Sequence, residues 1–453
     1  MRTIAKYSLF TLAVLVALFV SCEREDPVKK MRVERPEKVE TQAGDNTEAQ
    51  AAEAQPQSQT IPDIQYPYTY PKTKLSLSEA ETKNIAPGND FTFRYFAKEY
   101  ASVQSLPANI ISSPFSVQVV CGMIGNQIKD HEALCDMLGI KGDINDVNAY
   151  FNKLMKDVGN FGGNAKLTIA NAFMKDTRAL PFPDDFIESL KVSYLAEYLE
   201  FTAKSLDEQP VGERPEDLWV KDNTDGMIDS APEPILAEMA SLFNVLCFKG
   251  KWVDKFDSDR TAEDRFFIDQ TNFVERKFMR QAGRFGLYKG QDFSAINLPM
   301  GDGSYIFTIV LPDKITALGN VVESLNADLW NTVRENSFIK NVDLTIPRFS
   351  LSYNENSVFN YVDKAFLESY LTQMKDMNME EYNVTSIKQK ARIDVYEEGT
   401  SAAVVTQAMI VTSPGGGGEG QEIEVFNANH PFAFMISEAG SGLVLFIGTY
   451  SGS

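Results

Sequence analysis

Apolar positions along the chain fall into distinct regimes. The run Leu9 to Val20 is nearly continuous, follows Arg2 and Lys6, and stops at Ser21-Cys22 and the acidic Glu23-Arg24-Glu25-Asp26. From Glu23 to about Thr73 large apolar residues are sparse among Glu, Gln, Ala, Thr and Pro, and such a segment cannot bury enough surface to fold alone. As a flexible coil it would average on the order of 40 Å end to end. From Ser76 onward the pattern becomes periodic. Asp90 to Val103 sets Phe91, Tyr95, Phe96 and Tyr100 toward one side of a helix. Ser113-Pro114 reads as a helix cap and first helical residue, with Val117, Val120, Cys121 and Ile124 as the buried face.

The second half is patterned for strands. Leu242 to Phe248 is a buried strand leading to a glycine turn and Trp252, large enough to wedge a sheet end. Tyr305 to Leu311 is apolar on both faces, hence central, and stops at Pro312. Val342 to Ile346 alternates up to Pro347-Arg348-Phe349. Phe432 to Ile436 and Leu443 to Gly448 flank the turn Ala439-Gly440-Ser441-Gly442 as a hydrophobic hairpin.

One stretch contradicts its own flanks. Between Gly399 and Gly418 no charge occurs, and Thr400 to Ser413 is small and β-branched, as a strand buried on both faces requires. Yet Glu397-Glu398-Gly399 precedes it, and Pro414 with Gly415 to Gly418 follows, which are turn and loop signals. It reads either as a core strand followed by a turn, or as a loop exposed at first that becomes a strand later. An exposed segment of this composition invites aggregation, so keeping it outside needs a use.

Composition narrows the function. A chain of 453 residues supports one large domain or two modest ones, and the net charge of -20 argues against nucleic acid and against charge-driven adhesion to anionic lipid. His131 and His430 are the two histidines, so a Ser-His-Asp or Cys-His triad would have to use one of them, and no histidine pair stands at metal-ligand spacing. No metal, cofactor or catalytic group is expected. Cys22, Cys121, Cys135 and Cys247 form no C-x-x-C pair, and Cys121 and Cys247 among apolar neighbours read as buried thiols.

The N-terminus resembles a bacterial lipoprotein signal with Phe19-Val20-Ser21-Cys22 as lipobox, Phe19 standing where leucine is usual. This implies a signal peptide over 1–21, a lipidated Cys22, a disordered tether over 22–75 and a folded domain over 76–453. The resemblance places the protein as an exported lipoprotein at the outer membrane or cell surface, with a periplasm-facing anchor as the other placement. A plain secretion signal or a short membrane anchor is the competing reading.

Several motifs stand in the order of one family. Asn109-Ile110-Ile111-Ser112-Ser113-Pro114-Phe115-Ser116 is similar to N-x-x-x-S-P-x-S; Ala170 to Phe173 and Trp219-Val220 with Thr224, Gly226 and Ile228 follow. Asn244, Phe248-Lys249-Gly250, Trp252, Phe256, Thr261 and Phe266 match a long signature, and Glu397 to Thr400 with Asn429-His430-Pro431-Phe432 resemble a hinge and a distal anchor. From about residue 85 onward the chain resembles the serpins. Gln389 where many members carry histidine, Tyr396 where they carry asparagine, and a longer loop are departures.

The resemblance implies an α+β fold with a large central mixed β-sheet, helices packed on it, smaller sheets, and an exposed reactive loop over about 397–425. It implies a suicide-substrate inhibitor of serine, and secondarily cysteine, endopeptidases: the cleaved loop enters the sheet and distorts the acyl-enzyme before water releases it. The hinge would be Glu397, Glu398, Gly399, Thr400, Ser401, Ala402, Ala403, Val404, Val405 and Thr406, with the acids staying near the surface. Asn109, Ser113, Pro114, Ser116, Asn244, Gly250, Trp252 and Gln389 would form the region that parts. Thr400, Ala402, Val404, Thr406, Ala408 and Ile410 alternate onto one face without a charge.

Counting thirteen residues beyond Thr400 reaches Ser413, where Pro414 obstructs cleavage. Thr412-Ser413 is therefore the favoured bond, with Val411-Thr412 and Ser413-Pro414 behind. Small and aliphatic residues there suit elastase-like or subtilisin-like proteases, then papain-like ones, and a monomer is expected. A non-inhibitory binding protein of the same fold is the alternative, and a hydrolase built on His131 or His430 is the weaker third reading.

Overall fold

The computed structural model describes residues 73–452 apart from 104–106, 162, 206–207, 356–357, 383–388 and 401–422. Its helices are α1 (Glu79–Thr82), α2 (Ile85–Ser102), α3 (Pro114–Gly125), α4 (Glu132–Leu138), α5 (Ile144–Val158), α6 (Asp184–Tyr194), α7 (Pro215–Asn223), α8 (Leu318–Ser324), α9 (Ala327–Glu335) and α10 (Lys364–Asp376). Its strands are β1 (Ile110–Ser112), β2 (Ala165–Asp176), β3 (Glu197–Phe201), β4 (Ala240–Lys251), β5 (Ala262–Phe267), β6 (Phe273–Lys289), β7 (Phe293–Met300), β8 (Tyr305–Pro312), β9 (Phe338–Pro347), β10 (Phe349–Glu355), β11 (Gln389–Tyr396), β12 (Gly399–Thr400), β13 (Glu424–Asn427), β14 (Phe432–Glu438) and β15 (Val444–Tyr450).

Two mixed sheets result. Six strands follow the order β10-β11-β12-β4-β2-β3, in which β2 and β3 run parallel. Nine strands make the other sheet, β1-β15-β14-β8-β7-β6-β9-β13 with β5 on β6. The fold is α+β. As the apolar pattern required, β8 lies between β7 and β14, and both strands of the β14–β15 hairpin are buried throughout. No described helix is long and apolar enough to cross a membrane.

Helix α3 is buried at every residue, because it lies against β4 and β15 and not at the surface. Its sequence pattern promised one buried face and understated this. Ser113 caps it as expected, its hydroxyl accepting the Ser116 N–H at 3.3 Å, with Pro114 in the first turn. Helix α2 begins at Ile85, earlier than Asp90, since Pro87 falls in a first turn that has no need of its N–H. Its aromatics divide between two clusters: Phe91 and Tyr95 join the main core, whereas Phe93, Phe96 and Tyr100 join Trp330 and Val310.

Residues 73–75, assigned by composition to the tether, belong to the packed body. Leu75 is in the core, Lys74 pairs with Asp302 at 2.6 Å, and Thr73 donates to Glu438 at 3.1 Å. A side chain at Gly440 would meet Thr73 N at 2.1 Å, so the turn must be glycine there for the strap to cross.

The core is aromatic where the sheets meet. Phe434 stacks on Phe307 at 5.5 Å and 16°, and Phe307 meets Trp252 edge-on at 5.5 Å. Phe434→Ala should cost about 3–5 kcal/mol, read as a lower thermal midpoint; an unchanged midpoint would show that this layer is not holding the sheets together.

Candidate functional site

The site begins where β11 ends. After Tyr396 the chain turns through Glu397-Glu398 and re-enters the sheet as β12, where Gly399 and Thr400 pair with Tyr396 and Val395 on one side. On the other side they pair with Lys251 and Gly250. Gly399 has φ +147°, and a Cβ there would lie 2.0 Å from the Gly250 carbonyl oxygen. No other residue fits both the backbone and the space.

The turn is clamped. Trp252 donates its backbone N–H to Glu398 O at 3.0 Å and its indole N–H to Tyr396 O at 2.8 Å. Phe256 N donates to Glu397 O at 2.9 Å, and Thr261 donates its hydroxyl to the Glu397 carboxylate at 2.9 Å, with Arg348 at 3.7 Å. Glu397 is therefore not a surface acid, as its charge suggested; its side chain is 12% exposed. Burial, with the Glu398 and Asp394 charges behind it, pushes the Tyr396 phenol up to about 12.

Below β12 the strand position between β11 and β4 has no ladder of its own: among the described residues, no backbone pairing joins β11 directly to β4. A cavity of about 320 Å³ opens there, lined by Ser116, Phe173, Asn244, Val245, Gln389 and Lys390 among others. A chain of polar side chains runs beneath it. Gln389 Oε1 accepts from the Ser112 hydroxyl and Ser113 N, each at 2.9 Å, and its Nε2 donates to Ser113 O at 2.9 Å. Ser113 donates to Leu445 O at 2.7 Å. Ser116 donates to Asn244 Oδ1, Asn244 Nδ2 donates to Asn171 Oδ1 at 2.6 Å, and Asn171 Nδ2 donates to Tyr194 O at 2.7 Å. The glutamine that replaces histidine thus makes three bonds.

Above the gap lies α7 with its connection to β4. Thr224 closes the turn, accepting from Ile228 N at 3.0 Å. Asp225 accepts from Lys166 on β2 at 3.2 Å and Lys249 on β4 at 3.1 Å. Asp229 pairs with Lys390 on β11 at 3.0 Å, and Ser230 meets the same ammonium at 2.8 Å. Hydrogen bonds from their lysines hold both carboxyls below the usual carboxylate range.

Beyond residue 422, β13 lies parallel to β9 and leads to His430, which donates from Nε2 to Pro312 O at 2.8 Å. Burial pushes this imidazole below its ordinary value. His131 stands at the N-cap of α4. Cys121, Cys135 and Cys247 are buried free thiols, and burial pushes Cys247 up to about 11.

Of the residues expected in the parting region, Ser113, Pro114, Ser116, Asn244 and Gln389 meet beneath the gap, and Gly250 and Trp252 meet at its upper end. Asn109 does not join them: its side chain accepts from Ser451 N at 2.7 Å and holds the C-terminal end of β15. Asp229 was missed, since a single polar residue on a turn carries no local signal; Ser112, Asn171, Arg348 and Thr261 lay in motifs without a role. Ser401 to Thr406, Val411 to Pro414 and Cys22 lie outside the described residues.

The family model described as Serpin (serine protease inhibitor) matches residues 86–452. The leukocyte elastase inhibitor of Sus scrofa is 27% identical over 365 residues, 77% of this chain and 94% of that one. Serpin-ZX of Arabidopsis thaliana is 28% identical over 374 residues, 78% of this chain and 94% of that one. Among solved structures, tengpin, a thermophilic serpin in the native state, superposes with TM-score 0.67 at 24% identity, covering 84% of this chain and 96% of its own.

His430 gives a pH dependence of definite sign. Its value in the fold is depressed below the ordinary ~6.5, so its contribution is present above that pH and is lost as pH falls through the folded value. The thermal midpoint should fall between pH 7 and 5, and His430→Gln should flatten that slope. Equal slopes in the two proteins would place the titration elsewhere.

Proposed function

The chain belongs to the serpin family of serine protease inhibitors, and from that premise we propose that it is a suicide-substrate inhibitor, acting on the protease as a decoy and not as an enzyme. The observation that carries this reading is the register of β12. Continued downward, it sets Ala402 opposite Phe248 and Ile393, Val404 opposite Leu246 and Ala391, and Thr406 opposite Asn244 and Gln389. Phe248, Leu246, Ile393 and Ala391 are core residues, so the even-numbered residues of the cleaved loop enter the core. Thr406 arrives beside the polar chain, where its hydroxyl has partners.

Insertion therefore tolerates the loop residue by residue: small or apolar side chains meet apolar ones, and the one hydroxyl meets amides. Gly399 and Thr400 are paired in one sheet and β13 in the other, so an uncut connection has to satisfy both ties. After cleavage the first tie is enough, and the hinge zips downward from two residues already paired.

We assign cleavage to Thr412-Ser413, ahead of Val411-Thr412 and Ser413-Pro414. The small, aliphatic window favours elastase-like or subtilisin-like serine proteases over papain-like ones, and the likeness to leukocyte elastase inhibitors supports that choice. A lipid on Cys22 would hold the domain at the outer membrane or cell surface through residues 23–72. A labelled fatty acid supplied to the cells should mark the wild type and not Cys22→Ala; equal labelling of the two would overturn the lipid on Cys22.

Incubation with an elastase-like protease should yield an SDS-resistant complex, a released peptide beginning at Ser413, and a cleaved form with a much higher melting temperature. Ala402→Arg buries an unpaired charge at a cost of several kcal/mol, so it should still be cleaved but form no complex. Wild-type cleavage with neither complex nor thermal shift would leave a non-inhibitory protein of this fold.

A further inference from the structure

The N-terminal end of α7 carries a charged cluster that the site at the sheet gap does not use. Arg214, Glu216 and Asp217 are all more than nine-tenths buried, so two carboxyl groups share one cation. The sharing is uneven. Arg214 gives Asp217 both arms of its guanidinium, at 2.6 Å and 3.0 Å, and lies 3.8 Å from Glu216. Glu216 Oε1 accepts from Ile235 N at 3.0 Å, whereas Oε2 has no hydrogen-bond partner among the described residues.

The surroundings decide what balances the second carboxyl group. Glu216 lines a space of about 10 Å³ together with Phe201, Ala203, Lys204, Arg214 and Pro234. That is the lower limit for one water molecule and too small for a hydrated cation. Its walls bring Arg214 and Lys204, which repel a cation, in place of the several oxygen ligands that a metal ion needs. A proton needs neither the room nor the ligands. The charged groups on the neighbouring strands are engaged elsewhere: Asp176 with Arg178 at 2.7 Å, Lys175 with Glu200 at 3.2 Å, and Glu197 with the Trp219 indole at 3.2 Å. Glu213 before α7, Lys204 beyond β3 and Glu238 on the connection are exposed, and Glu233 on the connection is half-buried.

We infer that Glu216 binds the proton that balances this cluster, so that the N-terminal end of α7 is a clasp that is firm in mildly acidic medium and loosens as the medium turns alkaline. The clasp joins the chain before the helix to the chain after it: Asp217 accepts from Gly212 N and Ala231 N, each at 2.8 Å, and Glu216 from Ile235 N. Ala231 and Ile235 belong to the apolar cluster of Trp219, Val220, Ala172, Met174 and Val245, which the clasp keeps closed. Burial, with the Asp217 charge behind it, pushes the Glu216 carboxyl above its ordinary value. Its contribution is therefore complete below that ordinary value, about 4.3, and is lost as pH rises through the folded value, the sign opposite to that of His430. No protease enters the inference, which stands apart from the suicide mechanism.

The test compares the full wild-type chain with Glu216→Gln, Glu216→Met and Glu213→Gln. Glutamine and methionine stand for the side chain with its charge removed, and His430, common to all four proteins, cancels in the comparison. Relative to Glu216→Gln, the wild-type thermal midpoint should shift downward between pH 5 and pH 8. Amide hydrogen exchange at Ala231 and Ile235 should agree in the two proteins at pH 5 and become severalfold faster in the wild type at pH 8. At pH 6, where ordinary carboxylates are ionised, the wild type should show a protonated-carboxyl band in the infrared that Glu216→Gln lacks. Glu213→Gln removes an exposed acid from the same helix end and should follow the wild type throughout.

A midpoint difference between wild type and Glu216→Gln that is the same at pH 5 and pH 8 overturns the clasp. So does an infrared band at pH 6 that survives in Glu216→Gln, since the proton would then sit on another group. A pH-dependent difference of equal size from Glu213→Gln also overturns it, because removing any negative charge near the helix end would then suffice. Glu216→Met keeps the side-chain volume without the carboxyl and should behave as Glu216→Gln does, which keeps the test usable should the glutamine variant fail to fold.

Discussion

The contact between Gly399 and the Gly250 carbonyl is the constraint on which the rest of the structure depends. Two residues of β12 stand between β11 and β4, and no side chain could be added at the first without striking the opposite backbone. That contact fixes the register, and the register decides which face each later residue takes. Under the insertion proposed above, a slip of one residue would exchange the set led by Ala402 for the set led by Ser401 on the core face. The clamp from Trp252, Phe256, Thr261 and Arg348 prevents the slip by holding the turn from which β12 starts.

A sheet with an unladdered position needs its neighbours kept in place by other means. Here the means are polar below and ionic above. The chain from Gln389 through Ser112, Ser113, Ser116 and Asn244 to Asn171 belongs to α3 with its cap and four different strands, so it holds the two banks through a helix and not through each other. Such a network is directional and fully committed, whereas an apolar contact would be content with many spacings. That difference lets β11 and β4 keep a defined separation without a ladder.

Much of this was legible in the chain. Alternation and apolar runs gave the central strands, because burial on one face or two writes a period into the residues themselves. Serine before proline gave the cap of α3, and the spacing of Asn244, Gly250 and Trp252 gave the strand and its turn. What stayed hidden was pairwise. Nothing local distinguishes Asp229, which reaches β11, from Asp225, which does not, and Asn171 is one polar residue in a strand until Asn244 is placed beside it. Glu397 misled because an acid next to glycine reads as surface, while its environment is set by Thr261 and Arg348, distant in sequence. Asn109 misled in the opposite way, sharing a motif with Ser113 but serving the other end of β1.

Thr73 crosses the β14–β15 turn at Gly440, and Lys74 holds Asp302, whose neighbour Gly301 donates to the Lys251 carbonyl at 2.8 Å. Lys251 is the residue against which Gly399 is paired. Any drag applied through the polypeptide upstream of Thr73 would therefore be delivered as a mechanical load beside the mouth of the sheet. A molecule pulled by that end would feel the tension beside the short strand that Gly399 and Thr400 form against β4.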